Sequence, residues 1–575
     1  MVHREAVLHI PLSEYAYASS ETLLTIRLRA AKGNLSGCTL FYADRAYPHA
    51  DPIPFTPIEM RVIASDGLFD YFDVTFTPGL TRVCYYFRLA CPDEEVIYCS
   101  NLFVNTPPTV RSEYYQYPFI RREEISQIPE WFKNAVVYNI FPDSFASGKG
   151  TLSRDGCSVT LPGGVELRTL LGGTLNGITE NLDYIKSMGF NCLYLNPIFT
   201  ASDYHKYDLV DYFHIDPCFG TDADFGRLVD AAHSVGMRVI IDGVFNHCGK
   251  HFFAFEDVQK NGRSSKYWDW FYGLEEPVVV PGSGQGLPEY HCFAYEPKMP
   301  KLNTSNPETR DYFMEVCRHW TETYHVDGWR LDVANEVDKE FWRAFRRTAK
   351  GINPECVLIA EIWESAETWL RGDMFDSTMN YEFRKHCRDF FAEGSIDSAE
   401  FDARATMLRM RYPKGIVQGQ LNLLDSHDVS RFLSLCGGDI RCLKLAVLFL
   451  AIFPGVPSVF YGDEHALQGI EEIEYRQAMP WNDRNTELME FYTLAMGLRK
   501  NPAAIQGNYR VLSACKGEMV YIVERKTNEH SLVVLLNAGD TPACLAQSVP
   551  PVDPMLSHGW KPEMIDGFGY AVWSK

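Results

Sequence analysis

Between residues 135 and 464 eight short apolar runs alternate with stretches of helical periodicity, and this alternation constrains the fold more than anything else in the chain. The runs occupy 135–142, 191–199, 238–246, 328–334, 357–363, 377–383, 417–428 and 455–464. Between them lie segments such as Phe225, Leu228, Val229, Ala232 and Val235, apolar at helical spacing. Another helix is announced by Asn306-Pro307-Glu308, a cap residue, then proline in the first turn, then an acid. Eight strands each followed by a helix predict an α/β fold, the closed (β/α)8 (TIM) barrel.

The spacing within this region is uneven. Asp332 and Glu361 are separated by an ordinary strand–helix repeat, whereas the interval from Asp242 to Asp332 is about 50 residues too long. A subdomain inserted after strand 3, at about 248–305, accounts for the excess and lands on the face where barrel enzymes keep their active sites. Its Trp268 and Trp270 suit either a small core or sugar platforms, and 281–286 reads as a flexible loop. Before the barrel, residues 1–120 alternate apolar and polar residues in short runs separated by Gly and Pro, as in a β-sandwich. The barrel with its insert is expected to span 121–495. A second β-sandwich is expected over 496–575, where 519–524 and 531–537 read as strands.

The ends of the strands carry the chemistry. Strand 3 ends in Asp242 and runs on to Asn246-His247; strand 4 contains Arg330 and ends in Asp332; strand 5 ends in Glu361 and Trp363; strand 7 ends in His427-Asp428. His205, Tyr207 and Asp208 follow strand 2. Side chains alternate along a strand, so Arg330 and Asp332 share one face. One such pair is structural about as often as functional. Five strands ending in Asp, Glu or His at one rim is more than a packed core needs, because buried carboxylates are costly unless paired. Two carboxylates in different surroundings suit glycoside hydrolysis, with one ionised as nucleophile and the other protonated as acid. Arg330 is expected to hold Asp332 ionised. Glu361, beside Trp363 and with no cation adjacent in sequence, is expected to have a raised pKa. The spacing fits neither an EF-hand loop nor a zinc-protease helix.

Net charge is −21, with the acids dispersed, which argues against nucleic acid and anionic membranes as partners. No apolar run approaches the roughly 20 residues of a membrane span. The sixteen cysteines include no C-x-x-C pair and no zinc spacing, so reduced thiols and a cytoplasmic location are expected. The N-terminal residues have no signal-peptide character.

The motifs Asp242-Gly-Val-Phe-Asn-His247, Gly328-Trp-Arg-Leu-Asp332, Glu361-Ile-Trp363 and Leu424-Asp-Ser-His-Asp428 resemble those of the α-amylase family, family 13 of the glycoside hydrolases. The resemblance covers about 130–575. Residues 299–303 and 333–336, with the β-rich N-terminal domain, look like the cyclomaltodextrinase, neopullulanase and maltogenic amylase group. It implies a catalytic triad of Asp332 (nucleophile), Glu361 (acid/base) and Asp428. It further implies sugar contacts from Tyr207, Asp242, His247, Arg330, Trp363 and His427, with Glu336 lining the acceptor side or capping its loop. It also implies a homodimer, built partly by a starch-binding-module-like N-terminal domain. The substrates implied are cyclomaltodextrins, maltooligosaccharides and pullulan, cleaved at α-1,4 bonds with retention and some transfer to other sugars. Thr174 stands where relatives often have Asp, and 144–150 replaces their Asn/Asp-rich loop, so the usual calcium positions are altered and no cofactor is expected. A glucanotransferase of the same fold and a non-catalytic glucan-binding protein are the alternatives. The second would be marked by a missing acid, and none is missing.

Overall fold

The computed structural model describes every residue except 48–52, 149–158, 161–165, 168–169, 283–285 and 546–548. Of the sequence-level expectations, the loops at 144–150 and 281–286 lie partly outside the described residues.

The N-terminal domain is a sandwich of two antiparallel sheets. One contains Ala16–Ala18, Leu24–Ala31, Phe69–Phe76 and Arg61–Ser65. The other is built around Gly37–Asp44, Val83–Cys91 and Glu94–Cys99. Alternate residues Leu24, Ile26 and Leu28 on the first and Tyr85, Phe87 and Leu89 on the second meet in a shared core, as the period of two demands. Arg27, on the opposite face, donates to the Met410 carbonyl at 3.0 Å and ties this domain to the barrel.

Eight parallel strands close into a barrel: β1 Val137–Ile140, β2 Cys192–Leu195, β3 Arg238–Gly243, β4 Gly328–Leu331, β5 Val357–Ala360, β6 Ser377–Asn380, β7 Leu421–Leu423 and β8 Val456–Phe460. Every expected run contains one of them, but the strands are shorter. In the sixth run the strand gives way to helix Tyr381–Cys387, because the Asn380 side chain accepts from the Phe383 amide and caps it. In the seventh, Val417 belongs to helix Lys414–Gln418 rather than a strand. A buried apolar run of that length has no period to tell the two apart. Helices Asp222–Ser234 and Pro307–Arg318 stand where periodicity and capping put them, the latter with Asn306 accepting from two first-turn amides.

The insertion after β3 forms helix Phe253–Asn261 and irregular chain around a small core. Trp270 is buried there against Phe253, Tyr267 and Tyr312, so it is core rather than a sugar platform. Helix Thr486–Gly497 runs through the expected domain boundary at 495 and packs on helix Ile440–Ile452, so the division falls after it. The C-terminal antiparallel sheet starts at Asn508. One of its faces joins the barrel core through Tyr521, Val523, Val534 and Val572, and the other is covered through Ile522, Leu535 and Trp573. Among the described residues no helix is long and apolar enough to cross a membrane.

Candidate active site

Parallel register places the site. Asp242 pairs with Arg330 across β3 and β4, and Arg330 with Ile359 across β4 and β5. Asp332 and Glu361 therefore leave neighbouring strands at the same mouth of the barrel. The chain then turns sharply: Val333 has φ 44° and ψ 45°, a left-handed conformation that β-branched residues rarely adopt. This turn lets the Val333 amide donate to Glu361 Oε2 at 2.9 Å.

Arg330, fully buried, is the hub. Its Nη1 lies 3.0 Å from Asp242 Oδ1 and 2.8 Å from Asp332 Oδ1. Its Nη2 lies 2.9 Å from Glu361 Oε1 and 3.5 Å from Asp428 Oδ2. The expectation that Glu361 lacks an adjacent cation is thus corrected: one guanidinium serves both acids, because lateral strand neighbours are invisible in sequence. The expectation that Arg330 keeps Asp332 ionised is corrected as well. Burial, then the charge of Glu361, pushes Asp332 well above the usual carboxylate range, and Arg330 only partly offsets this.

Around this centre the polar groups interlock. Asp242 Oδ2 accepts from Tyr194 at 2.7 Å and from Tyr207 at 3.1 Å. The Tyr207 hydroxyl also bonds His427 Nε2. Asn196 donates to His427 Nδ1 at 2.8 Å, which leaves the ring proton on Nε2, 2.9 Å from Asp428 Oδ2. Burial would raise the Asp428 pKa, but His427, Arg330 and Arg476 outweigh it and hold this carboxyl below the usual range. His247 is buried and neutral, its pKa lowered to about 3 by burial first, then by Lys301 and His205. Asn246 gives its carbonyl oxygen to Lys301 and its amide to His247 Nδ1. The proton is therefore on His247 Nε2, for which no hydrogen-bond partner is found among the described residues. A ring stacked on Phe293 and a donor with nothing to bind is poised for a ligand hydroxyl.

Trp363 is 48% exposed and stacks flat on Tyr381 with centroids 3.9 Å apart, while its indole nitrogen donates to Glu361 at 3.1 Å. Glu361 thus lies against the exposed Trp363 ring while itself only 7% exposed. Tyr207 and His427 stack beside Asp428, whose side chain is the most exposed of the four acids at 23%. Glu336 is half-exposed and paired with Lys301 at 3.0 Å, outside the Arg330 cluster. Arg431, three residues beyond Asp428, turns away from the rim to pair with Asp463 at 2.7 Å. Sequence reasoning missed Tyr194, Asn196 and Arg476. Asn196 directly follows strand β2 and could have been found by the same strand-end rule. Arg476, which donates to the His427 carbonyl at 2.8 Å and lies 3.7 Å from Asp428 Oδ1, follows no strand and no motif.

A family model described as the α-amylase catalytic domain matches residues 139–503, and one described as the α-amylase N-terminal ig-like domain matches 1–121. The chain belongs to the α-amylase family. It is a glycoside hydrolase. Neopullulanase 2 of Thermoactinomyces vulgaris is 42% identical, over 94% of this chain and 92% of its own. The intracellular maltogenic amylase of Bacillus subtilis is 36% identical, over 86% and 84%. The structure of a cyclomaltodextrinase superposes with a TM-score of 0.91 at 35% identity, covering all of both chains.

Proposed function

We propose that this α-amylase-family chain is a retaining hydrolase of α-1,4-glucosidic bonds in cyclomaltodextrins, maltooligosaccharides and pullulan, with some transfer to other sugars. The observation that carries the reading is the convergence of Asp242, Asp332, Glu361 and Asp428 on the single guanidinium of Arg330, beside the exposed ring of Trp363. Relatives named neopullulanase and cyclomaltodextrinase support the substrate class.

In this mechanism Asp332 attacks the anomeric carbon while Glu361 protonates the departing glycosidic oxygen. The bond from that carbon to the leaving oxygen breaks as the bond to Asp332 Oδ forms. Water, deprotonated by Glu361, then attacks the same carbon and frees Asp332. Burial, then the charge of Glu361, disfavours a charged Asp332 in the free site. Positive charge developing on the sugar favours an ionised Asp332, and negative charge building on the leaving oxygen draws the proton from Glu361. Asp428 and the Nε2–H groups of His247 and His427 hold hydroxyls of the bound ring, and Asp242 keeps Arg330 and Tyr207 in place. Trp363 and Tyr381 give the leaving sugar a flat apolar face.

The same reading includes a homodimer in a reducing, cytoplasmic compartment. The described cysteines are free and mostly buried, and the B. subtilis relative is named intracellular. It also includes activity without calcium. The Thr174 hydroxyl caps helix Leu175–Glu180, and the Asp143 carboxylate accepts from the Leu171 and Gly172 amides, so both groups are engaged by backbone. Dialysis against EDTA is expected to leave rate and melting temperature unchanged; a loss restored by calcium alone would reverse this. Chromatography of products from β-cyclodextrin, pullulan, maltotriose and starch, with proton NMR of the first-formed anomer, tests the whole. The expected result is faster cleavage of the small and cyclic substrates, with α products. A first-formed β anomer, or no cleavage of any of the four, would overturn it.

A further inference from the structure

A cleft of about 750 Å³ lies where all three domains meet. Val417 and Pro454, which lead into β7 and β8, line its floor, so it opens at the N-terminal mouth of the barrel, the face opposite the Arg330 cluster. In a chain of net charge −21 its walls are cationic. Arg27 is neutralised by Asp73 at 3.1 Å. Three other cations have no carboxylate within ion-pair distance among the described residues. Lys414, exposed on the lip, reaches only the Asn508 amide oxygen at 3.1 Å. Arg409, 9% exposed, bonds Thr406 at 2.8 Å, lies over the Tyr509 ring and leaves its Nε without a partner. Arg525 spends its nitrogens on the Gly507, Ile452 and Ile505 carbonyls, and burial, then Arg499, lowers its pKa to about 9.

Positive charge packed together in excess of the neighbouring carboxylates is costly unless a further anion joins it. The cleft has the size of a small-metabolite pocket. Its remaining lining is suited to hydroxyls rather than to a second anionic group, since Asp73 and Asp402 stand beside the cations and the Tyr17 ring flanks them. We propose that this junction binds a phosphorylated sugar, its phosphate held by Arg409 and Lys414 in the field of Arg525 and its hydroxyls facing Asp402 and Tyr17. Binding there braces the N-terminal and C-terminal domains against the bottom of the barrel.

Calorimetry and thermal melts of the full chain with glucose 6-phosphate, inorganic phosphate and glucose test this. Glucose 6-phosphate is expected to bind saturably and raise the melting temperature, at least about tenfold more tightly than inorganic phosphate, with glucose inert. Lys414→Gln, on the surface, is expected to weaken binding about tenfold while leaving kcat and KM on maltotriose unchanged, and Arg409→Gln to do the same where it folds. Absence of binding, binding that Lys414→Gln does not alter, or inorganic phosphate as tight as the sugar phosphate would each overturn the proposal.

Discussion

Arg330 touches four acids, so mutating any one of them changes the charge felt by the other three, and only variants that keep shape separate their roles. Asp332→Asn and Glu361→Gln do so. If Asp332 forms the covalent bond, Asp332→Asn fails on every substrate. Glu361→Gln lacks only the proton donor, worth about 10²–10⁴ in rate on a sugar leaving group. It should still react with an α-glucosyl fluoride, whose leaving group departs unaided, and then stall because nothing activates the water. Intact-protein mass spectrometry is expected to find the added sugar on Glu361→Gln and none on Asp332→Asn; the reverse would exchange the roles. At this scale the strand-end acids were legible because alternation alone puts Arg330 and Asp332 on one face. The contact between Arg330 and Glu361 was not, since it depends on the register Arg330↔Ile359 between two strands. Nor was the upward push on the Asp332 pKa, which follows from how deeply the pair is buried.

Strand β4 is held at the spacing that brings these acids together, and Gly328 at its start packs directly against β5. A Cβ there would meet Val357 Cγ1 at 2.4 Å and the Val357 carbonyl oxygen at 2.8 Å. Gly328→Ala is therefore expected to destabilise the barrel by about 1–3 kcal/mol, the usual cost of overpacking. Adding Val357→Ala removes the methyl but not the carbonyl, so the double variant should recover only part of the loss in melting temperature. Full recovery would mean that β4 and β5 can move apart freely. The elements themselves were readable where polar residues punctuate them, as Asn306 and Asn380 do for their helices. They were blurred where apolar residues continue from one element into the next, as at Val417, because hydrophobicity reports burial and not conformation. The left-handed Val333 had no signal at all, since a β-branched residue there contradicts local preference.

The whole molecule couples its domains through buried polar groups, and these set how it responds to acid. Arg27, which ties the N-terminal sandwich to the barrel, offers its carbonyl to His9 Nδ1 at 2.7 Å, and His9 Nε2 meets the Tyr85 hydroxyl at 2.9 Å. His9 is almost wholly buried, and burial lowers its pKa to about 4 despite the backbone bond. Above pH 6.5 the folded and unfolded chains both hold it neutral, so its neutral bonds contribute fully. Below that, the unfolded chain takes up a proton that the folded core refuses until about pH 4. Stability must then fall as pH drops, by about 3 kcal/mol across the window for this residue. His247, lowered to about 3, acts in the same direction, whereas the depressed Asp428 stabilises the fold until pH falls below the ordinary carboxylate range. These histidines are therefore expected to lower the melting temperature between pH 6.5 and 4.5, opposed by Asp332, whose raised pKa favours the folded chain as pH falls. His9→Gln, which keeps a donor and an acceptor but cannot charge, should flatten that decline without changing kcat, since His9 lies in the sandwich core. If both proteins lose stability with the same slope, the proton is taken up elsewhere, and the sandwich is not where acid unfolding begins.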